Sequence, residues 1–209
     1  MAEAPNFQTE MRLLLRERAL NAAREVVCTE GWGAVNMSRI AKDVGISRPV
    51  LYKEIGTRQA LADALIEREL GTFLSGIVDT LAEHPADPIT GMTRAAEYTL
   101  HTGADNTLLK AVLSGRHSGD MTLLPALVTE PEPVLGRAIA ALTVAMRDRY
   151  ELATMSDGNL ESLVEILVRL TLSHLFQPVG PIDRAVAQVE LVITQVFTGL
   201  RGQVSAQRG

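Results

Sequence analysis

Apolar residues recur along this chain at spacings of three and four far more often than they alternate, and that period predicts helices. From Met11 to about Glu30 the stripe is Leu14, Ala19, Ala22, Ala23, Val26 and Val27, ended by Gly31 and Gly33, while residues 1–8 show no period and read as a frayed tail. Asn36 then offers a side-chain oxygen to cap a short helix reaching about Val44. Gly45 breaks that helix, Ser47 is placed to cap the next, and Pro49 sits in its first turn, where no N–H is missed; this third helix runs from Arg48 to about Lys53. Gly56-Thr57 is a further break. Thr57 caps a long helix from Arg58 to about Leu81, with a stripe of Leu61, Ala64, Leu65, Leu70, Phe73, Leu74 and Ile77.

Beyond Pro85 and Pro88 the pattern predicts helices at about 88–102 and 105–114, a Gly/Ser/His loop at 114–119, and a short helix near 121–128. Pro131 and Pro133 open a longer helix to about Thr154, Asp157 is a candidate cap for one to about Phe176, and Pro181 starts a last one to about Leu200. The last two are apolar on more than one face: Leu160, Leu163, Val164, Ile166, Leu167 and Leu170 in one, Ile182, Val186, Val189, Val192, Ile193, Val196 and Phe197 in the other. A surface helix needs a single apolar stripe, so the surplus predicts a second partner.

The expected fold class is therefore all-α: an N-terminal three-helix, helix-turn-helix domain at 9–56, and a helical domain at 57–201, with the helix at 58–81 connecting them. Composition agrees, since 46% hydrophobic residues can build a core while only 4% are aromatic. The single cysteine, Cys28, excludes an intramolecular disulfide and reads as a small buried hydrophobe in a reducing compartment. No apolar run is long enough to span a membrane and no signal-peptide pattern opens the chain, so a soluble, cytoplasmic protein is expected. The net charge of −5 disfavours nucleic acid when taken over the whole chain, but it is unevenly spread. Residues 1–60 carry nine Lys/Arg against seven Asp/Glu, and residues 61–209 eleven against eighteen: a mildly basic head on an acidic body.

Residues 36–55 read NMSRIAKDVGISRPVLYKEI. Ile40, Val44, Ile46, Leu51 and Ile55 would hold two short helices across a tight turn, with Ala41 small at the crossing and Gly45 able to adopt the left-handed conformation. Off that stripe lie Ser47, Arg48, Pro49, Tyr52 and Lys53, a short basic face suited to a major groove. With the Ala-Ala pair of the preceding helix, Glu30-Gly31, Ile40-Ala41, Gly45-Ile46-Ser47, Leu51-Tyr52 and Thr57-Arg58-Gln59-Ala60-Leu61, the segment at about 12–65 resembles the DNA-binding domain of the tetracycline-repressor (TetR) family of transcriptional regulators.

That resemblance implies phosphate contacts from Tyr52 and Arg58, base-edge contacts from Arg48, Pro49 and Val50, and Asn36 and Ser38 near the DNA backbone. Arg48 can also be argued from chemistry alone, as a bidentate partner of guanine, with Pro49 and Val50 against thymine methyls and Lys53 as a phosphate cation. Three positions depart from the family pattern: Glu54 replaces the usual His, Ile55 the usual Phe and Arg58 the usual Lys. Glu54 is unfavourable beside phosphate unless paired, by Lys53 or Arg58, or unless it accepts from a cytosine amine.

The resemblance further implies a homodimer, through a four-helix bundle made by the last two helices of each subunit, with Leu163, Leu167, Leu170, Val189, Ile193 and Val196 at the interface. The partners expected are a double-stranded DNA operator and a small, largely apolar effector. Few polar tips among apolar neighbours suggest its pocket: Phe73, Tyr98, His101, Leu109, Val112, Met146, Tyr150, Thr171 and His174. The chain carries no phosphate loop, GxSxG elbow or HExxH, and its four histidines are far apart in sequence. Neither an enzyme nor a metal or cofactor protein is expected. The alternative is a helical small-molecule- or partner-binding protein with weakened DNA contacts.

Overall fold

The computed structural model describes residues 7–106, 108–109, 132–150, 152 and 155–207, with backbone only at 132–134 and 200–207. In chain order the elements are α1 (Phe7–Glu30), a 3-10 turn (Trp32–Ala34), α2 (Met37–Val44), α3 (Arg48–Glu54) and α4 (Arg58–Ala82). They are followed by α5 (Pro88–Asp105), α6 (Glu132–Arg149), α7 (Asp157–Phe176) and α8 (Ile182–Gln207). Among these residues there is no strand, and the all-α class stands. The loop at 114–119, the short helix near 121–128 and Val112 lie outside the described residues.

The chain groups into two units. The first takes residues up to Leu70 together with Leu108 and Leu109; the second takes Gly71–Asn106 and the described residues from α6 onward. In the first, α1 contributes Leu20, Ala23, Val26 and Val27, α2 contributes Ile40, Ala41 and Val44, and α3 contributes Leu51, all buried. Leu51 has no exposed surface, so Leu51→Ala should cost about 2–5 kcal/mol through lost transfer energy and a cavity. Melting should fall by about 5–20 °C; an unchanged transition would show that α3 is not anchored by this side chain.

In the second unit α5 packs on α7 and α8, and α7 also packs on α6 and α8. The buried side chains are Leu81, Met92, Leu100, Met146, Leu160, Leu163, Val164, Leu175, Val189, Ile193 and Phe197. Phe73 of α4 stacks on Tyr98 of α5, ring centroids 6.1 Å apart. The Tyr98 hydroxyl sits where a Cβ on Gly76 would be, so only glycine admits that approach. The Tyr150 hydroxyl donates to the Leu81 carbonyl at 3.1 Å, and burial pushes its phenol upward from the ordinary range.

Local signals placed most element boundaries, and the exceptions have identifiable causes. α1 begins at Phe7, not Met11, because nothing in residues 7–10 breaks a helix. α6 ends at Arg149, short of Thr154; beyond it the Leu152 N–H donates to the Tyr150 carbonyl and the Met155 N–H to that of Leu152. Ser156, not Asp157, caps α7, its hydroxyl accepting from the Asn159 N–H at 3.3 Å. α8 continues to Gln207, past the last apolar residue that defined its stripe. Cys28, expected inside, is exposed, on the side of α1 away from Val26 and Val27.

Candidate nucleic-acid interface

Three backbone devices fix the two short helices. The Asn36 side chain accepts from the Ser38 N–H at 2.8 Å and starts α2. Gly45 ends α2 in the left-handed region at φ 81°, and the Ile46 N–H then reaches back to the Ala41 carbonyl at 2.9 Å. That pattern closes the last turn of α2 and reverses the chain within two residues. Pro49 lies in the first turn of α3, although Ser47 at the cap position makes no side-chain capping bond, contrary to expectation. Thr57 caps α4 as expected, accepting from the Ala60 N–H at 3.1 Å.

With Leu51 and Ile55 turned inward, α3 leaves Ser47, Arg48, Pro49, Val50, Tyr52 and Lys53 exposed, and Asn36 and Ser38 are exposed beside α2. Val50 and Tyr52 are each 39% exposed, unusual for side chains of their size and apt for packing on bases or sugars. Arg48 lies over the Tyr52 ring at 5.3 Å and donates to its hydroxyl at 3.3 Å, so the pair forms a loosely held cationic-aromatic face. Among the described residues Arg48, Lys42 and Lys53 enter no ion pair. Arg39, by contrast, is engaged by Glu30 through two bonds of 2.8 and 2.6 Å, which hold the Glu30 carboxyl below its usual range.

Two side chains are placed differently from expectation. Arg58 is turned into the first unit: its guanidinium covers the buried Trp32 ring at 4.8 Å and donates to the Trp32 carbonyl at 2.6 Å. It ties the start of α4 to the turn after α1. Glu54 meets its cation from α1, where Arg12 Nε donates at 2.8 Å, and not from Lys53 or Arg58. Arg12 is a functional candidate that sequence reading missed.

The candidate pocket residues divide. Phe73, Met146 and Thr171 are buried, Tyr98 and His174 partly so, and all lie in the second unit, as does Tyr150 with its bonded hydroxyl. His101 is exposed, on the outer face of α5, and does not join them; Leu109 is buried but groups with the first unit. Thr93 Oγ1 of α5, Thr143 Oγ1 of α6 and His174 Nε2 of α7 are buried without a hydrogen-bond partner. Neither threonine was singled out in the sequence.

The proposed interface residues divide as well. Val189 and Ile193 have no exposed surface and Leu163 is 5% exposed, so one chain already buries all three: they belong to its core. Leu167, Leu170 and Val196 are only partly covered. Among the described residues, the large apolar side chains left in solvent on these helices are Ile166 and Leu191, 54% and 59% exposed.

Comparison with known proteins agrees with this architecture at both ends of the chain. Residues 19–65 match the family model described as bacterial regulatory proteins, tetR family. Residues 87–195 match the model for the bacterial tetracyclin repressor, C-terminal domain. The HTH-type transcriptional regulator AlkX of Mycobacterium tuberculosis is 30% identical over 167 residues, covering 80% of this chain and 77% of the relative. Among solved structures, the TetR family repressor AlkX of Dietzia sp. superposes with a TM-score of 0.67 at 23% identity, over 88% of this chain and 97% of that one. AibR, solved with isovaleryl coenzyme A and operator DNA, gives a TM-score of 0.52 at 12% identity, over 84% and 96%. The chain belongs to the TetR family of bacterial transcriptional regulators.

Proposed function

We propose that this regulator is a cytoplasmic repressor that binds a palindromic operator as a homodimer and is released by a small, largely apolar effector. The observation that carries the DNA half is the exposed face of α3. Arg48, Pro49, Val50, Tyr52 and Lys53 stand outward on a helix pinned by Leu51, as base-edge and phosphate contacts require. The competing reading, a helical protein with weakened DNA contacts, rests on Glu54 and on the net charge of −5. The pairing of Glu54 with Arg12 speaks against the first ground, and the second is offset by the exposed Arg48 and Lys53 on α3.

Dimerisation is supported by Ile166 and Leu191, large apolar side chains left in solvent on α7 and α8. The effector half is supported by the second unit's apolar interior and by the three unpartnered polar atoms on Thr93, Thr143 and His174. Buried polar groups ordinarily find partners, and such atoms would orient an otherwise apolar guest. Coupling to DNA needs only that the effector bind one arrangement of α4 better than another.

The reading is tested by electrophoretic shift with the DNA upstream of the protein's own gene. Two protein chains are expected per retarded duplex. Medium-chain alcohols and acids should release it, and Thr143→Val combined with His174→Phe should abolish release while sparing the shift. A shift without release by any apolar compound would overturn the effector half; absence of a shift would overturn the DNA half.

A further inference from the structure

No side chain in the first three turns of α1 is fully buried: the earliest buried residue is Ala19, Leu15 is partly covered, and Phe7, Met11, Leu13 and Leu14 are exposed. Apolar packing therefore contributes little to so long an extension. What the extension does supply is a cation. Arg12 reaches Glu54, the last residue of α3 and the one carboxylate of that helix, at 2.8 Å. The Glu54 side chain is 12% exposed and that of Arg12 is 66% exposed, so the carboxylate is largely covered while its partner faces solvent.

Left alone, a carboxylate on α3 would oppose the same phosphates that Arg48 and Lys53 attract. We propose that Arg12 is a positioning residue for DNA binding: by holding Glu54 it cancels the carboxylate of α3 and lets that helix approach the duplex. It acts through Glu54 and not by its own contact with phosphate. The inference rests on the reading of α3 as the DNA-binding helix. It also accounts for the tolerance of an acidic residue at this place, because the two positions form a unit although 42 residues apart.

The test is a double-mutant cycle on the full-length protein, read as anisotropy of a labelled mixed-sequence duplex of about 40 base pairs, with melting to confirm that each variant is folded. Arg12→Ala should weaken binding by about five- to twentyfold, as an uncompensated like charge does at a nucleic-acid face. Glu54→Gln, the double variant Arg12→Ala/Glu54→Gln, and Arg12→Lys should all stay within about threefold of the unmodified protein. Arg18→Ala, an exposed cation on the same helix, should cost the same with or without Glu54. The proposal is overturned if Arg12→Ala is as damaging in the Glu54→Gln background as alone, which would make Arg12 a direct contact. It is equally overturned if Arg12→Ala binds normally, or if Glu54→Gln by itself loses more than about fivefold. Failure of the unmodified protein to bind the duplex at all would refute the DNA-binding reading itself, and the inference with it.

Discussion

Ile193→Asp should leave the protein without a cooperative melting transition, whereas Leu191→Asp, two residues away on α8, should melt normally and run as a monomer. Ile193 has no exposed surface and packs inside its own chain, while Leu191 is 59% exposed. An isolated carboxylate in that interior costs several kcal/mol, or protonates at a similar cost. The whole margin of a folded domain is only about 5–15 kcal/mol. On the exposed face the same charge costs the single chain little and is unfavourable only where a second apolar surface would cover it. Circular dichroism melting and light scattering distinguish the two effects. A folded Ile193→Asp variant would contradict the burial, and a dimeric Leu191→Asp variant would show that the subunits meet elsewhere.

Arg48→Ala should lower the preference for the operator over unrelated DNA by about 1–3 kcal/mol, roughly five- to 150-fold, if its guanidinium reads a guanine edge. The substitution should not disturb the fold, since Arg48 is exposed and its polar and ring contacts among the described residues are those to Tyr52. Lys53→Ala should behave differently, weakening all sequences alike and reducing the dependence of binding on salt. Competition binding against mixed-sequence DNA at two salt concentrations separates the cases. Equal loss on both kinds of DNA would assign Arg48 to phosphate.

These expectations show where sequence is sufficient. The head of the molecule was legible because its folding information is local. Asn36, Gly45, Pro49 and Thr57 each act on backbone within a few residues, and the structure shows a side-chain cap, a left-handed turn, a first-turn proline and a second cap at those positions. The end of α6 was not legible, because no glycine or proline marks Arg149 as a breaker would. Helix periodicity shows that α7 and α8 have two apolar faces but cannot say which one its own chain covers. Periodicity alone therefore offers Val189 and Ile193 to a partner, whereas α8 packs on α5 and α7 and covers both within the chain. Arg12 with Glu54, and Arg58 with Trp32, were beyond reach for the same reason: each pair is joined by tertiary folding, and neither residue's neighbours announce the other.

Whether α3 reads DNA as half of a twofold pair can be decided by selecting bound duplexes from a random-sequence library and sequencing them. One motif should be enriched in two inverted copies, their centres about 34–36 Å or a multiple of that apart, with enrichment lost in Arg48→Ala. Enrichment of a single unrepeated motif, or of none, would contradict it.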